Sequence, residues 1–408
     1  MKHVWVLNHY AAAPGESGIS RTHYLAQHLP PYGWSASIIA ASTDYHTRKQ
    51  RLEDHETLRL EVLDSVPFLW LRTPSYIRND WRRVLNILAY TLRALLPSST
   101  SQLKKPDAII GSSVHPLAAL AGAILAWIKK VPFIFEVRDL WPQTLIDMGH
   151  LKPDSLVTRA LQYLELWLYK RAAYTIVLLE HADEYIVPLG IDKSRVVWIP
   201  NGVDSKQFPA AQTTKAASDV FTLMYFGAHG DANGLKTVLD AMHLLKGKTL
   251  PMPVRLRLIG DGTEKKGLIE YAKTLGLDNV SFENPVPKKE IPALAQEADV
   301  FTFNVRNLAL FKYGMSPNKL FDYFAASRPI IYTGATLRNM VEEAKAGLTV
   351  PPENPSAMAD AVQTLLAMTP AQREEMGHNG RRYVEEKHSF PYLAQKLAVV
   401  LDKAVSSS

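Results

Sequence analysis

FTLMYFGAHGDANGLKTVLDAMHLLK, residues Phe221–Lys246, reads as a strand, a glycine-bearing loop and a helix. Phe221–Phe226 is apolar or β-favouring throughout, as in a strand covered on both faces. The stretch is decisive because the same rhythm has already run once before it. Toward the N-terminus, HVWVLN (from His3), SASIIAAS (from Ser35), DAIIGSS (from Asp107), PFIFEVR (from Pro132), YTIVLL (from Tyr174) and RVVWIP (from Arg195) read as strands, with helical patterns such as RTHYLAQHLP and HPLAALAGAILAWIKK between them. Toward the C-terminus, VRLRLIGDG, KKGLIEYAKTLG, VSFEN, IPALAQEA, VFTFN and PIIYTG repeat the alternation. Strand–helix alternation implies parallel sheets covered by helices, and two series imply two doubly wound α/β domains.

The boundary falls in Ile199–Asp219, rich in Pro, Gly, Ser and Thr and without periodicity. The expected division is a Rossmann-like domain over 1–200, a second over 201–385, and a terminal helix over 386–408 that returns toward the first. The two domains are expected to face one another across a cleft.

Bulk properties narrow the function. The chain has 408 residues, 47% of them hydrophobic, which is ample for two cores. It has no cysteine, which excludes disulfides, thiolate metal sites and cysteine nucleophiles and fits a reducing compartment. The opening MKHVWVLNHYAAAPG has too short an apolar run for a signal peptide, and no stretch is long and apolar enough to span a bilayer. The expected location is the cytoplasm, peripheral on the inner face of the plasma membrane. A net charge of +6 favours anionic partners. Between Pro67 and Pro97, Trp70, Tyr76, Trp81 and Tyr90 are interleaved with Arg72, Arg78, Arg82, Arg83 and Arg93. A basic, aromatic-rich amphipathic helix of this kind lies on an anionic membrane surface, or else is a surface helix with solvated arginines.

SPNKLFDYFAASRPII, Ser316–Ile331, places Asp322 among Leu320, Phe321, Tyr323 and Phe324. Ser316 suits an N-cap and Pro317 the first helical position. The free amides of such an end attract phosphate. Asn318, Lys319 and Asp322 then share a face: phosphates near the helix start and Lys319, a ribose diol on Asp322. The plain alternative is an exposed Lys–Asp pair. Three glycine loops follow strands in the same way. APGESGISR carries Gly15 and Gly18 ahead of Arg21, YFGAHGDANG carries Gly227, His229 and Gly230, and IGDG carries Gly260 and Gly262. Each lies at a strand's carboxyl end, where ligands of parallel sheets collect. None is a dinucleotide fingerprint.

Taken together, these segments resemble the family 4 retaining glycosyltransferases, which have the GT-B fold. VVWIPNGVDSKQF (from Val196) resembles the inter-domain segment, LRLIGDGTEKKGLIEYAKTLGLDNVSFENPVPKKEIPALAQEADV (from Leu256) the nucleotide-binding core, and NKLFDYFAASRPII (from Asn318) the terminal Glu-x-x-x-x-Gly-x-Pro block, with Asp322 at the Glu. FIFEVRDLWPQTL (from Phe133) is similar to a narrower WbuB-like branch of bacterial surface-polysaccharide (O-antigen or capsule) transferases, associated with N-acetyl-L-fucosamine or related amino sugars. The resemblance implies an acceptor-binding first domain and a nucleotide-sugar-binding second domain. It further implies a UDP-sugar donor, a polyprenyl-diphosphate-linked saccharide acceptor, and donor contacts along Met315, Ser316, Pro317, Asn318, Lys319 and Asp322.

The departures are specific. The earlier carboxylate of the family's Glu-x7-Glu pair falls on Gly314, so backbone amides around Tyr313–Ser316 are expected to replace it. The loop Arg and Lys that neutralise the diphosphate in many members fall on Ala228 and Asn233, leaving that charge to Lys319, Arg21 or Arg306. Where the family has His before Asp, this chain has Arg138–Asp139; Arg138 touches the donor sugar or simply pairs with Asp139 or Glu136. Asp139 is a better acid or base than Glu136 because it lies nearer the strand end. His115 is a sugar or acceptor contact, or a structural cap. Arg138, Asp139, His115 and Lys319 are thus the expected catalytic set. No Asp-x-Asp signature stands in a convincing context, so no cofactor or metal is expected. The rival readings are a UDP-sugar epimerase of the same fold and a nucleotide-sugar-binding protein without catalysis.

Overall fold

The computed structural model of the chain describes residues 1–16, 20–78, 80–209, 219–334 and 339–407. They form two compact units, Met1–Pro200 with Phe390–Ser408, and Asn201–Ser389. The sequence places its second boundary at 385/386; here the chain changes unit at Ser389–Phe390. His388 stays with the second unit, its ring centroid 4.9 Å from that of Phe321 and 5.3 Å from that of Tyr383.

The first unit contains β1 (Lys2–Leu7), β2 (Trp34–Ala41), β3 (Leu58–Leu63), β4 (Val66–Leu71), β5 (Ala108–Ser112), β6 (Phe133–Val137), β7 (Tyr174–Val177) and β8 (Val196–Trp198). They form one sheet in the order β3-β4-β2-β1-β5-β6-β7-β8, with β3 antiparallel to β4 and every other pairing parallel. Its helices before the linker are α1 (Arg21–Gln27), α2 (Trp81–Leu95), α3 (Pro116–Lys129), α4 (Gln143–Asp147), α5 (Leu156–Arg171) and α6 (Asp183–Ile186). Right-handed crossovers put α2, α3 and α5 on one face of the sheet and α1 on the other.

The segment 67–97 needs correction as a single amphipathic element. Val66–Leu71 is a buried inner strand, and Trp70, Tyr76 and Tyr90 all point inward. The run VPFLWL is apolar along its length, as a strand covered on both faces is, and only the residues after it carry the helical pattern. The amphipathic helix is α2 alone. The Asp80 carboxylate caps it by accepting from the Arg82 amide at 2.9 Å. It buries Asn86, Tyr90, Thr91 and Ala94 and exposes Trp81, Val84, Leu85, Leu88 and Leu92. No helix of the described residues is long and apolar enough to cross a membrane.

The second unit holds β9 (Phe221–Phe226), β10 (Val254–Ile259), β11 (Val280–Glu283), β12 (Val300–Asn304), β13 (Ile330–Thr333) and β14 (Gly347–Val350), in the order β11-β10-β9-β12-β13-β14, all parallel. Its helices are α7 (Leu235–Lys246), α8 (Lys265–Thr274), α9 (Ile291–Ala295), α10 (Asn318–Ala325), α11 (Met340–Glu343), α12 (Pro355–Ala367) and α13 (Pro370–Lys387). The winding reverses between β9 and β12, so their carboxyl ends flank the switch point where α/β sheets bind ligands. α10 is anchored there because Leu320, Phe321, Tyr323 and Phe324 are all buried, with Tyr323 stacked on Phe301 at 4.4 Å. Each such burial contributes roughly 1.5–3 kcal/mol.

The last helix, α14 (Phe390–Ser406), belongs to the first unit. It packs beside α1, where Phe390 stacks on Tyr24 at 4.7 Å and the Asp402 carboxylate accepts from Trp34 Nε1 at 3.1 Å.

Candidate active site

In the second unit the glycine loops after β9 and β10 are folded onto each other. The Gly227 amide donates to Ile259 O at 3.0 Å and the His229 amide to Asp261 O at 2.8 Å. A Cβ on Gly260 would lie 1.9 Å from Gly227 O, and one on Gly262 would lie 2.4 Å from His229 O. The space these two glycines provide is therefore filled by the protein's own backbone. This corrects their reading as ligand-facing glycines: they let the loops interlock. Gly230 has only the Asn233 amide nitrogen nearby, at 3.8 Å. Lys265, which the sequence reading overlooked, ties the junction by donating to Gly260 O and Glu283 O, both at 2.7 Å.

His229 is buried between these loops, and among the described residues neither ring nitrogen is hydrogen-bonded. Burial lowers its pKa to about 4, Lys265 adding to the shift, so the ring is neutral and carries one unused N–H. Such a donor costs about 1–3 kcal/mol while it stays unpaired.

Lys319 runs along Gly227, whose Cβ would meet the lysine Cδ at 3.1 Å. Its ammonium donates to Tyr225 Oη at 2.8 Å and to Asn233 Oδ1, and lies 4.6 Å from the Tyr225 ring centre and 5.3 Å from that of Phe303. These partners are neutral, and among the described residues no carboxylate pairs with it. Burial lowers its pKa to about 7. The residue keeps an accessible edge, so solvent relieves part of that cost. Asp322, one turn on, is buried, and burial raises its carboxyl while Lys288 opposes the rise. Lys288 Nζ sits 2.5 Å from Asp322 Oδ2. The exposed Lys319–Asp322 pair is thus overturned, because each residue has its own partner elsewhere.

The start of α10 also differs from expectation. The helix begins at Asn318 with Pro317 as N-cap and no side-chain cap. Ser316 is engaged instead by Asn201, whose backbone amide donates to Ser316 Oγ at 2.7 Å and whose side-chain amide donates to Ser316 O at 2.6 Å. Met315 packs against the core beneath. Gly314 adopts φ +101°, a conformation that a glutamate there would strain, so the backbone itself is built for the missing carboxylate. Arg306 is held by Asp231 at 2.6 Å and Glu353 at 3.2 Å, so its charge is already matched by two acids.

In the first unit, Arg21 is corrected from phosphate ligand to internal strut. It is buried, and its Nε, Nη1 and Nη2 donate respectively to Glu136 at 3.0 Å, to Pro200 O and to Ile199 O at 2.8 Å. Burial pushes Glu136 up, but Arg21, Arg138 and the Ser112 hydroxyl (2.7 Å) bring it net below its ordinary value. Gly15 makes a left-handed turn beside Glu16; Gly18 lies outside the described residues.

His115 caps α3: its Nδ1 accepts from the Ala118 amide at 3.2 Å. That fixes the proton on Nε2, which faces His9 Nδ1 at 2.6 Å, so His9 Nε2–H donates to Asn86 Oδ1 at 2.7 Å. The Asn86 amide nitrogen donates in turn to Pro74 O at 2.8 Å. All four ring nitrogens of the two histidines are used, and burial holds His9 well below its ordinary value and His115 at about 3. His115 is therefore a positioning residue rather than a base.

Asp139 lies just past β6, with protein close around its carboxyl yet open to solvent. Burial raises its carboxyl and Arg138 counters it, solvent limiting the rise. Arg138 Nη1 and Trp141 Nε1 are buried donors without partners. Trp141 lies within the segment FIFEVRDLWPQTL and is a further candidate that spacing alone does not single out.

Two family models match the chain: a glycosyl transferase 4-like domain over residues 17–202, and glycosyl transferases group 1 over residues 220–368. The probable glycosyltransferase WbjE of Pseudomonas aeruginosa is 22% identical over 347 residues, covering 82% of this chain and 84% of that protein. The sucrose-phosphate synthase structure from Thermosynechococcus elongatus superposes with TM-score 0.72 at 17% identity, covering 100% of both chains. That of HepE from Anabaena in complex with UDP and glucose gives TM-score 0.66 at 16% identity, covering 98% of this chain and 99% of that one. These likenesses, with the two parallel-sheet units, establish the GT-B fold.

Proposed function

Because the chain belongs to the family 4-type glycosyltransferases, we propose that it moves a sugar from a UDP-sugar to a lipid-linked saccharide, with retention of anomeric configuration and without a metal. The observation that carries this reading is α10. Its Lys319 ammonium is held only by neutral groups, one turn before a buried acid. A crowded cation without a counter-charge calls for an anion, and the diphosphate supplies it. Asp322 then accepts from the ribose hydroxyls, taking over from Lys288. The unused His229 N–H donates to a phosphate oxygen, and the amides near Gly314 face the donor sugar. HepE, described with UDP and glucose, supports a uridine nucleotide.

In the reaction the bond from the anomeric carbon to phosphate oxygen breaks, and the bond to the acceptor oxygen forms on the same face. The acceptor proton passes to the leaving phosphate oxygen. Lys319 and the His229 N–H stabilise the charge that grows on that oxygen. In the first unit, Arg138 and Asp139 position acceptor hydroxyls. The resemblance of the Phe133–Leu145 segment favours an N-acetylated amino sugar such as N-acetyl-L-fucosamine, in bacterial surface-polysaccharide assembly on the cytoplasmic side of the membrane. The exposed apolar row on α2, with Arg82 and Arg93 beside it, favours docking on an anionic bilayer.

The test is transfer from candidate UDP-sugars to a lipid-diphosphate saccharide, with and without a chelator, for the natural chain and Asp322→Ala. We expect chelator-resistant transfer, and UDP affinity about tenfold or more weaker in the variant. Donor isomerisation without acceptor would instead favour the epimerase reading, and donor binding without turnover a binding protein.

A further inference from the structure

In the first unit, His9, His115 and Asp139 all follow the carboxyl ends of strands. A groove of about 790 Å³ opens at the opposite edge of the same sheet. Phe133 begins β6, Ala173 immediately precedes β7 and Arg195 immediately precedes β8, while α3 and α5 end beside them. Its walls include Ala123 and Ala126 of α3 and Ala172 after α5, whose small side chains leave the volume open. Spaces of this size hold one small molecule.

The lining selects the kind of molecule. Lys130, Arg171 and Arg195 supply the charged side chains, and among the described residues no hydroxyl, amide or carboxylate side chain lines the groove. The remaining side chains are aliphatic or aromatic, with Trp127 and Ile128 left 70% and 52% exposed at the end of α3. The cations are unspent. Arg195 directs Nε and Nη2 to the carbonyls of Ala173, at 3.2 Å, and Ala172, which leaves Nη1 unused among the described residues. The neighbouring Asp192 carboxylate accepts from the Ser194 amide at 2.8 Å and forms no ion pair with Arg195. Arg171 lies 6.0 Å from the Trp167 ring centre, and neither it nor Lys130 forms an ion pair among the described residues. Lys130 caps α3 at φ +56°, where glycine is unstrained and a lysine costs roughly 1–2 kcal/mol. The ends of α3 and α5 carry about half a negative charge each, less than the three cations supply.

We propose that this groove binds one single-chain anionic amphiphile, a fatty acid or a single-chain lipid phosphate. Its hydrocarbon lies on Phe133, Ile128 and Trp127, and its carboxylate or phosphate meets Lys130, Arg171 and Arg195. Two guanidiniums and an ammonium suit either head group. A nucleotide or a sugar fits badly, because its amides and hydroxyls would leave water without side-chain partners. A bilayer fits badly as well, because the space is bounded and takes one chain. The site stands apart from the transferase reading and lies across the sheet from the strand ends where that reading places the acceptor.

The test is titration calorimetry of the full chain with decanoate, decyl phosphate and uncharged decanol, all below the concentration at which they form micelles. Two variants accompany it, Lys130→Gln/Arg171→Gln and Trp127→Ser/Ile128→Ser; all four side chains are exposed, so the core is left intact. We expect the two anions to bind about tenfold or more tighter than decanol. The first variant is expected to weaken the anions about tenfold and leave decanol unchanged, and the second to weaken all three alike. Decanoate is also expected to raise the melting temperature of the natural chain and not that of the first variant. Equal binding of decanol and decanoate, anion binding that survives Lys130→Gln/Arg171→Gln, or absence of binding to the natural chain overturns the proposal. Phosphatidylglycerol vesicles separate the remaining source: if the first variant loses vesicle binding while its decanoate affinity is unchanged, the cations face a bilayer and the groove is not an amphiphile site.

Discussion

The two units are built on the same strand–helix plan yet differ in the apolar side chains they leave exposed. The second gathers charge at its switch point. Lys319, Asp322 and Lys288 are drawn into the loops at the switch point, and among its large apolar residues only Leu244 is found exposed among the described ones. The first unit also buries polar groups, the Arg21–Glu136 pair and the neutral His9–His115–Asn86 chain, but leaves many apolar side chains outside. Trp81, Leu85 and Leu92 on α2, Trp127 and Ile128 near the end of α3, and Leu156, Val157 and Tyr163 on α5 are all exposed. Those three helices cover the same face of the sheet. On the proposed reading, the contrast lets one topology serve two tasks. A unit that grips a small anion must concentrate charge away from water, where it is stronger. A unit that meets an amphipathic partner must keep an apolar face in reserve.

If the second unit is the anion grip, its variants must act on donor binding first. Lys319→Met is expected to lower kcat/KM about 100-fold. Adding Asn233→Lys, which puts an ammonium back on the loop that Lys319 now reaches, restores a measurable part of it in steady-state assays. If the double variant is no better than the single one, the idea that Lys319 stands in for a loop cation fails.

The same grip has a pH signature. The ammonium form of Lys319 binds the diphosphate, so above its value of about 7 donor affinity falls, by up to about tenfold per pH unit. Titration calorimetry from pH 6 to 9 reads this directly. Lys319→Arg, which stays charged, flattens the profile. A flat profile in the natural chain would break the comparison on the second unit's side.

The first unit is expected to answer in melting rather than in donor affinity. Burial lowers the His9 and His115 pKa values, so the folded state refuses protons that the unfolded chain accepts. Their contribution is complete above the unfolded value of 6.5 and is lost as pH falls toward about 3. The slope is up to about 1.4 kcal/mol per pH unit for each ring. Thermal melts of His9→Asn/His115→Asn are expected to lose less stability on acidification than the natural chain does.

Glu165 carries the smallest effect, with the opposite sign. Buried under the Tyr169 and Tyr185 hydroxyls, at 3.1 Å and 3.0 Å, its pKa is raised to about 8. Its contribution is present below the unfolded value of 4.5 and lost as pH climbs through about 8. Glu165→Gln is expected to match the natural chain near pH 4 and to gain on it as pH rises, by up to about 1.4 kcal/mol per pH unit between 4.5 and about 8.

How much of this was legible in the sequence varies by region. Strands such as FTLMYF and HVWVLN announce themselves because a parallel strand covered on both faces is apolar along its length. The β3–β4 hairpin did not, because LRLEVL is an edge strand with mixed burial and VPFLWL runs on toward a helix of similar composition. Asp322 was found through the block that surrounds it. Its partner Lys288 lies 34 residues away, and no spacing rule links them. The His9–His115 contact joins residues 106 apart. Arg21 was misread because an arginine after a glycine loop looks the same in sequence whether its guanidinium faces a ligand or, as here, the carbonyls of Ile199 and Pro200.

The Lys288–Asp322 pair has a consequence for turnover. If Asp322 takes the ribose diol as proposed, the nucleoside arrives by exchange, the lysine giving up the acid as the diol settles. The same lysine would then stay tethered beside the acid, a competitor that helps to evict the used nucleotide before the next donor binds.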